Sequence, residues 1–173
     1  MLRKPRLVFT FIVLFQILVL AALIISNEVV LANGQEVILQ TVPVDPHDIF
    51  RGEYVQLRYK ISILTNQPVV WSLSTGDTAY VLLEKHGEVW EAIGVSKLTS
   101  DRDSWKTFIT GKVINESTLQ PNIEYGIEQY FVPEGQGLAI QNAQDIKVRV
   151  KIDARGKAAI VSLIVDGKDI KFN

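Results

Sequence analysis

Val55-Gln56-Leu57-Arg58-Tyr59-Lys60-Ile61-Ser62-Ile63 alternates apolar and polar residues without a break. Strict period two is what a strand with one buried and one wet face requires, because successive side chains point to opposite faces. The residues before it, Asp45-Pro46-His47-Asp48-Ile49-Phe50-Arg51-Gly52-Glu53-Tyr54, read as a turn-rich loop. Asp45-Pro46 favours an extended residue and then a turn, and Gly52 permits a positive φ or a close backbone approach. A loop that opens straight into an amphipathic strand points to a β domain, and the flanking segments agree.

Upstream, Glu36–Val42 predicts a first strand. Downstream, Thr65–Gly76 is a connection that carries Val69-Val70-Trp71 as a short strand or apolar lid. Thr78–Glu84 and Glu88–Val95 flank Lys85-His86-Gly87 as a hairpin. Trp105–Ile114 is a further strand, Tyr125–Val132 is rich in β-formers, and Leu138–Gln144 suits one or two helical turns. Near the C-terminus Ile146, Val148, Val150 and Ile152 alternate with Lys147, Arg149, Lys151 and Asp153. After a turn at Ala154-Arg155-Gly156 comes Ala158–Val165, and Asp166-Gly167 is a two-residue hairpin signal before Lys168–Phe172. Short strands separated by turns predict a mainly β fold, one antiparallel β-sandwich or partly open barrel. A domain of about 150 residues is large enough, since it buries roughly 70% of its unfolded surface.

The chain of 173 residues also holds a segment that no water-soluble core needs. Leu7–Ile25 is apolar except for Thr10 and Gln16, and Arg3, Lys4 and Arg6 precede it. Nineteen residues at about 1.5 Å each reach roughly 28 Å, close to the ~30 Å hydrocarbon core of a bilayer. The basic residues ahead of the span, against Glu28 and Glu36 behind it, place the N-terminus in the cytoplasm by the positive-inside rule. Val30-Leu31-Ala32 before Asn33 offers a secretory cleavage pattern, but the apolar run exceeds the ~7–15 residues of a signal h-region. The reading is a retained anchor. It divides the chain into a basic cytoplasmic N-terminus (1–6), a transmembrane helix (7–26), a polar tether (27–35) and an extracytoplasmic β domain (36–173).

Composition narrows the chemistry. Formal net charge is −1 and cysteine is absent, so thiol nucleophiles, disulfides and zinc–thiolate sites are excluded and no nucleic-acid partner is expected. Of the two histidines, His86 belongs to a hairpin turn, while His47 lies between Asp45 and Asp48 with Glu53 close behind. Carboxylates and an imidazole in one loop could hold a divalent cation. No EF-hand spacing or two-histidine helix accompanies them, and loop aspartates more often cap turns. No metal, cofactor or catalytic residue is therefore predicted. No G-x-S-x-G serine and no phosphate loop is present. The basic alternate face Lys147, Arg149, Lys151 reads as the wet side of a sheet, with phospholipid headgroups or an anionic polymer as the other reading.

The run Gly52-Glu53-Tyr54-Val55-Gln56-Leu57-Arg58-Tyr59 resembles the signature that names the GDYXXLXY family of bacterial membrane-anchored proteins. Asp45-Pro46-His47-Asp48, Arg51-Gly52, the later Tyr130-Phe131-Val132-Pro133-Glu134-Gly135-Gln136-Gly137 and the strands of Ile146–Val165 extend the likeness over nearly the whole chain. One departure is Glu53, where the family name has Asp. The resemblance implies an N-terminal span and an extracytoplasmic β domain with no established activity, often associated with multi-spanning membrane proteins. A fainter likeness to type I signal peptidases implies a related scaffold, but Val44–Tyr59 contains no serine to attack.

Both motifs have two readings. In the structural one, Tyr54 and Tyr59 fill the core, Gly52, Gly135 and Gly137 permit turns, and Arg51 pairs with Glu134. In the functional one, the two loops lie together and form a ligand or partner groove from Asp45, His47, Asp48, Arg51, Glu53, Tyr54, Tyr59 and Glu134. The expected protein is a non-enzymatic binding or assembly module working with other membrane proteins. The alternative is a catalytically degenerate signal-peptidase-like hydrolase scaffold.

Overall fold

The computed structural model describes residues 3–42, 54–64, 73–98, 106–115, 121–133, 140 and 143–171. It opens with α1 (Arg3–Asn33). Among the described residues this is the one helix long and apolar enough to cross a bilayer. Phe11, Leu18 and Ile24 each present more than half of their surface, the all-round apolar exterior of a membrane span. The helix carries a single-pass membrane topology for the chain. It does not stop where the apolar run ends. It continues through most of the residues read as a tether, because Val30 packs fully buried against the β domain. The Gly34 amide then donates to the Val30 carbonyl at 2.8 Å, and β1 (Gln35–Gln40) begins at the next residue.

The other strands are β2 (Tyr54–Gln56), β3 (Thr78–His86), β4 (Val89–Ser96), β5 (Phe108–Asn115), β6 (Asn122–Glu124), β7 (Gln129–Phe131), β8 (Ile146–Ile152), β9 (Ala158–Val165) and β10 (Lys168–Ile170). Eight of them form one sheet in the order β10-β9-β8-β1-β4-β3-β5-β6, and β2 pairs with β7 separately. All pairings are antiparallel except β1 with β4. The sheet curls into a half-open barrel, as the strand pattern predicts. Bridges Thr41↔Tyr59 and Ile63↔Asn122 close part of the opening, linking the end of β1 to β6. Opposite them, the β8–β9 turn meets β5: the Thr110 amide donates to the Gly156 carbonyl at 2.9 Å. Leu39 of β1, Val81 of β3, Ile109 and Val113 of β5, Val148 of β8 and Leu163 of β9 fill the interior.

The local turn signals hold. Asp166 (φ 47°) and Gly167 (φ 80°) make the hairpin between β9 and β10, the left-handed pair that a two-residue hairpin demands. The alternating stretch behaves differently. Val55, Leu57, Tyr59 and Ile61 are all buried as the period predicts, but the ladder lasts only for Tyr54–Gln56. A 3-10 turn at Lys60–Ser62 then shifts the phase, leaving Ile63 at the surface and burying Leu64. The run Tyr125–Val132, rich in β-formers, divides in two. It is a turn at 125–128 followed by the short β7, with Gly126 at φ 78°.

The turn before β3 is held by Asp77, whose Oδ2 accepts from the Ser74 amide at 2.9 Å and from Lys97 Nζ at 2.7 Å. The Lys97 bond first and the Ser74 amide second hold its carboxyl below the ordinary value. A carboxylate with a lowered folded pKa stabilises the fold above its unfolded pKa of about 3.9, and that contribution is lost as pH falls through the folded value. Asp77→Asn should therefore lower stability at neutral pH and flatten the acid limb of the stability curve. Denaturant titrations between about pH 7 and pH 2 measure this; an acid limb identical to that of the unaltered chain would show that Asp77 is not coupled to folding.

Candidate functional site

The two motifs meet at the β2–β7 ribbon. Tyr54 pairs with Phe131, Val55 with Tyr130 and Gln56 with Gln129. Because the pair is antiparallel, the chain enters β2 from the first motif loop and leaves β7 toward the second at the same end of the ribbon. Of the predicted groove residues, Asp45, His47, Asp48, Arg51, Glu53 and Glu134 lie outside the described residues, as do Gly52, Gly135 and Gly137. Tyr54 is placed by its backbone pairing.

Tyr59 is fully buried, and its hydroxyl donates to the Ile127 carbonyl at 2.6 Å. Tyr125 returns the contact, its hydroxyl donating to the Ile61 carbonyl at 2.6 Å. The 125–128 turn is tied further by the Tyr125 amide on Glu128 Oε1 (2.6 Å) and by the Leu57 amide on the Glu128 carbonyl (2.7 Å). Burial, and then the nearby Glu128 carboxylate, raise both phenols well above the ordinary tyrosine value. Both remain neutral donors, which the two carbonyls need. Sequence reasoning named Tyr59 but missed Tyr125 and Glu128; the glycine at 126 inside a run of β-formers was the available signal of a turn.

Beside the ribbon lies a groove of about 530 Å³ lined by Asn27 of α1, by Tyr130, Phe131 and Pro133 of the second motif, and by Ala159 and Ile160 of β9. Phe131 is 62% exposed, which is unusual for so large an apolar side chain beside a groove. A smaller cavity of about 310 Å³ lies at the Tyr59–Leu64 segment against Trp90 and Ala92, where Lys60 Nζ meets Glu91 Oε1 at 2.8 Å.

The GDYXXLXY protein family matches the chain over residues 16–163. The chain belongs to this family. The match runs from the middle of α1 into β9 and so takes in the helix–sheet junction, the ribbon and most of the groove's lining. No curated protein and no solved structure matches the chain.

Elsewhere on the described surface of this GDYXXLXY domain charged groups stand in exposed pairs. No three or more His, Cys, Asp or Glu side chains are grouped to hold a metal among the described residues. His86 is about half exposed, with Nε2 3.4 Å from Glu84. On the basic face of β8, Lys147 lies 3.2 Å from Glu88 and 3.6 Å from Asp145. Arg149 is held between Glu36 and Asp169, at 2.8 Å from the latter. Cations already paired with carboxylates from neighbouring strands form a solvated, charge-balanced face, and each such exposed pair adds little stability.

Proposed function

We propose that this protein is a single-pass membrane module whose N-terminus lies in the cytoplasm and whose β domain, on the far side, binds or helps assemble another multi-spanning membrane protein without catalysing a reaction. The observation that carries this is the β2–β7 ribbon: it gathers the described ends of both motif loops at one place on a rigid β scaffold, beside α1. Loops so mounted are where β folds carry recognition. The anchor is retained in this reading, since cleavage after Ala32 would remove Val30 from its buried seat. The hydrolase alternative gains no support from a first motif without serine.

The test is capture of the tagged full chain from membranes solubilised in a mild detergent. A multi-spanning protein should co-purify in stoichiometric amount, and Arg51→Ala with Glu134→Ala should release it while the β domain stays folded. The same variants report on their pairing: if Arg51 and Glu134 touch, their stability effects are non-additive in a double-mutant cycle, by about 0.5 kcal/mol or more. A chain that always emerges alone sinks the assembly role. Added protease that cleaves the β domain only after sealed spheroplasts are lysed sinks the orientation.

A further inference from the structure

We infer that the face of the β domain around the Asn27–Phe131 groove rests in the headgroup layer of the bilayer, with Phe131 and Tyr130 entering the acyl boundary. The occupant of the groove is then the phospholipid surface itself.

Helix geometry sets the depth. The apolar run ends at Ile25 and is followed by Ser26-Asn27-Glu28. At about 1.5 Å per residue, Asn27 stands only ~3 Å beyond Ile25, where the uninterrupted apolar run ends. The headgroup layer on each side of the hydrocarbon is roughly 5–8 Å deep. Asn27 therefore lies within that layer, and Phe131, Tyr130 and Ile160, which line the groove with it, are held beside it. Nothing lets the domain drift away. Val30, one turn further on, is fully buried in the domain, and Gly34 alone separates α1 from β1. Lys157 Nζ donates to Ser26 Oγ at 2.7 Å, which brings the β8–β9 turn down to the same level.

Chemistry fits the depth. An amphipathic aromatic such as Tyr130 is favoured at the membrane interface, and a phenylalanine left 62% exposed at that level has hydrocarbon within reach. Charge on this face is mixed. The exposed Arg155 and Lys157 are set against Asp153, which lies 3.4 Å from Arg155 Nε and accepts both of their amides, and against the exposed Glu28. Attachment is therefore driven by apolar insertion and does not need anionic lipid.

Because the chain has no cysteine, single labels are clean. Phe131→Cys and, separately, Lys85→Cys on the remote β3–β4 hairpin are labelled with an environment-sensitive fluorophore in the full chain. Each is reconstituted in phosphatidylcholine vesicles, with and without phosphatidylglycerol. Lipid carrying a doxyl group near the top of the acyl chain should quench the label at 131 several-fold more than at 85, with aqueous iodide showing the reverse and the two lipid compositions agreeing. Tyr130→Cys reads the same groove should the first label disturb it. A label at 131 that iodide reaches as freely as at 85, and doxyl lipid does not, overturns the inference. Shielding from both quenchers also overturns it, because a second copy of the chain then covers the groove. Neither result bears on the partner protein, whose capture is measured separately.

Discussion

Gly34→Ala should destabilise the β domain by about 3 kcal/mol, the sum expected for overpacking a tight site and losing one hydrogen bond. A Cβ at this position would lie 2.5 Å from the Val30 carbonyl oxygen and 3.0 Å from both the Ile152 nitrogen and the Lys151 Cβ. Two of those three neighbours are backbone atoms, so no flexible side-chain end can swing away. Either the last turn of α1 opens and the Gly34–Val30 bond is lost, or β1 is pushed off β8, to which it is paired from Gln35↔Ile152 to Gln40↔Lys147. For a chain of this size the loss corresponds to a fall in melting temperature of roughly 6–12 °C. Gly94→Ala is the control. Its Cβ would meet nothing within 4 Å and its φ is not positive, so a change within about 0.5 kcal/mol is expected. Thermal unfolding of the full chain in detergent micelles, followed by near-UV circular dichroism, separates the two. Equal melting temperatures for both variants would mean that the junction is loose. The headgroup-level seating of the β domain would then lose its support, since that seating depends on α1 running into β1 without slack.

Tyr59→Ala should cost about 4 kcal/mol, in the range for emptying a large buried aromatic site. Tyr59→Phe keeps the packing and isolates the hydroxyl. It leaves the buried Ile127 carbonyl without its donor, for which about 1–2 kcal/mol is expected. Tyr125→Phe does the same to the Ile61 carbonyl. Because the two hydroxyls clamp the same pair of segments, 59–61 and 125–127, the double variant should cost less than the sum of the singles: once one bond is gone the segments separate more easily. Urea unfolding of the unaltered chain and the four variants measures each cost and the coupling. If Tyr59→Phe is neutral, the reciprocal clasp contributes nothing, and the buried motif tyrosine has only its ring to offer.

Short-range physics made part of this fold legible in the residues alone. An apolar run preceded by basic residues had to be a membrane-length helix. The alternation at Ile146–Ile152 had to be a strand with one wet face. Asp166-Gly167 had to turn, because few residue pairs accept two successive positive φ values. Even at Val55–Ile61 the period correctly assigned which side chains are buried. Which segments pair with which is set by long-range packing. The motif stretch keeps three residues in a ladder and then turns through Lys60–Ser62, since burial of alternate side chains is satisfied by many backbone paths and partners lie far away: Phe131 for Tyr54, Thr41 for Tyr59. Most of the residues read as a tether are helical because α1 packs on β8 and β9 from the far end of the chain, with Val30 buried, a contact that no local propensity encodes. The groove is of the same kind. Asn27, Phe131 and Ile160 come together through folding alone, since their spacing carries no periodic signal and each residue taken singly is unremarked in its own segment.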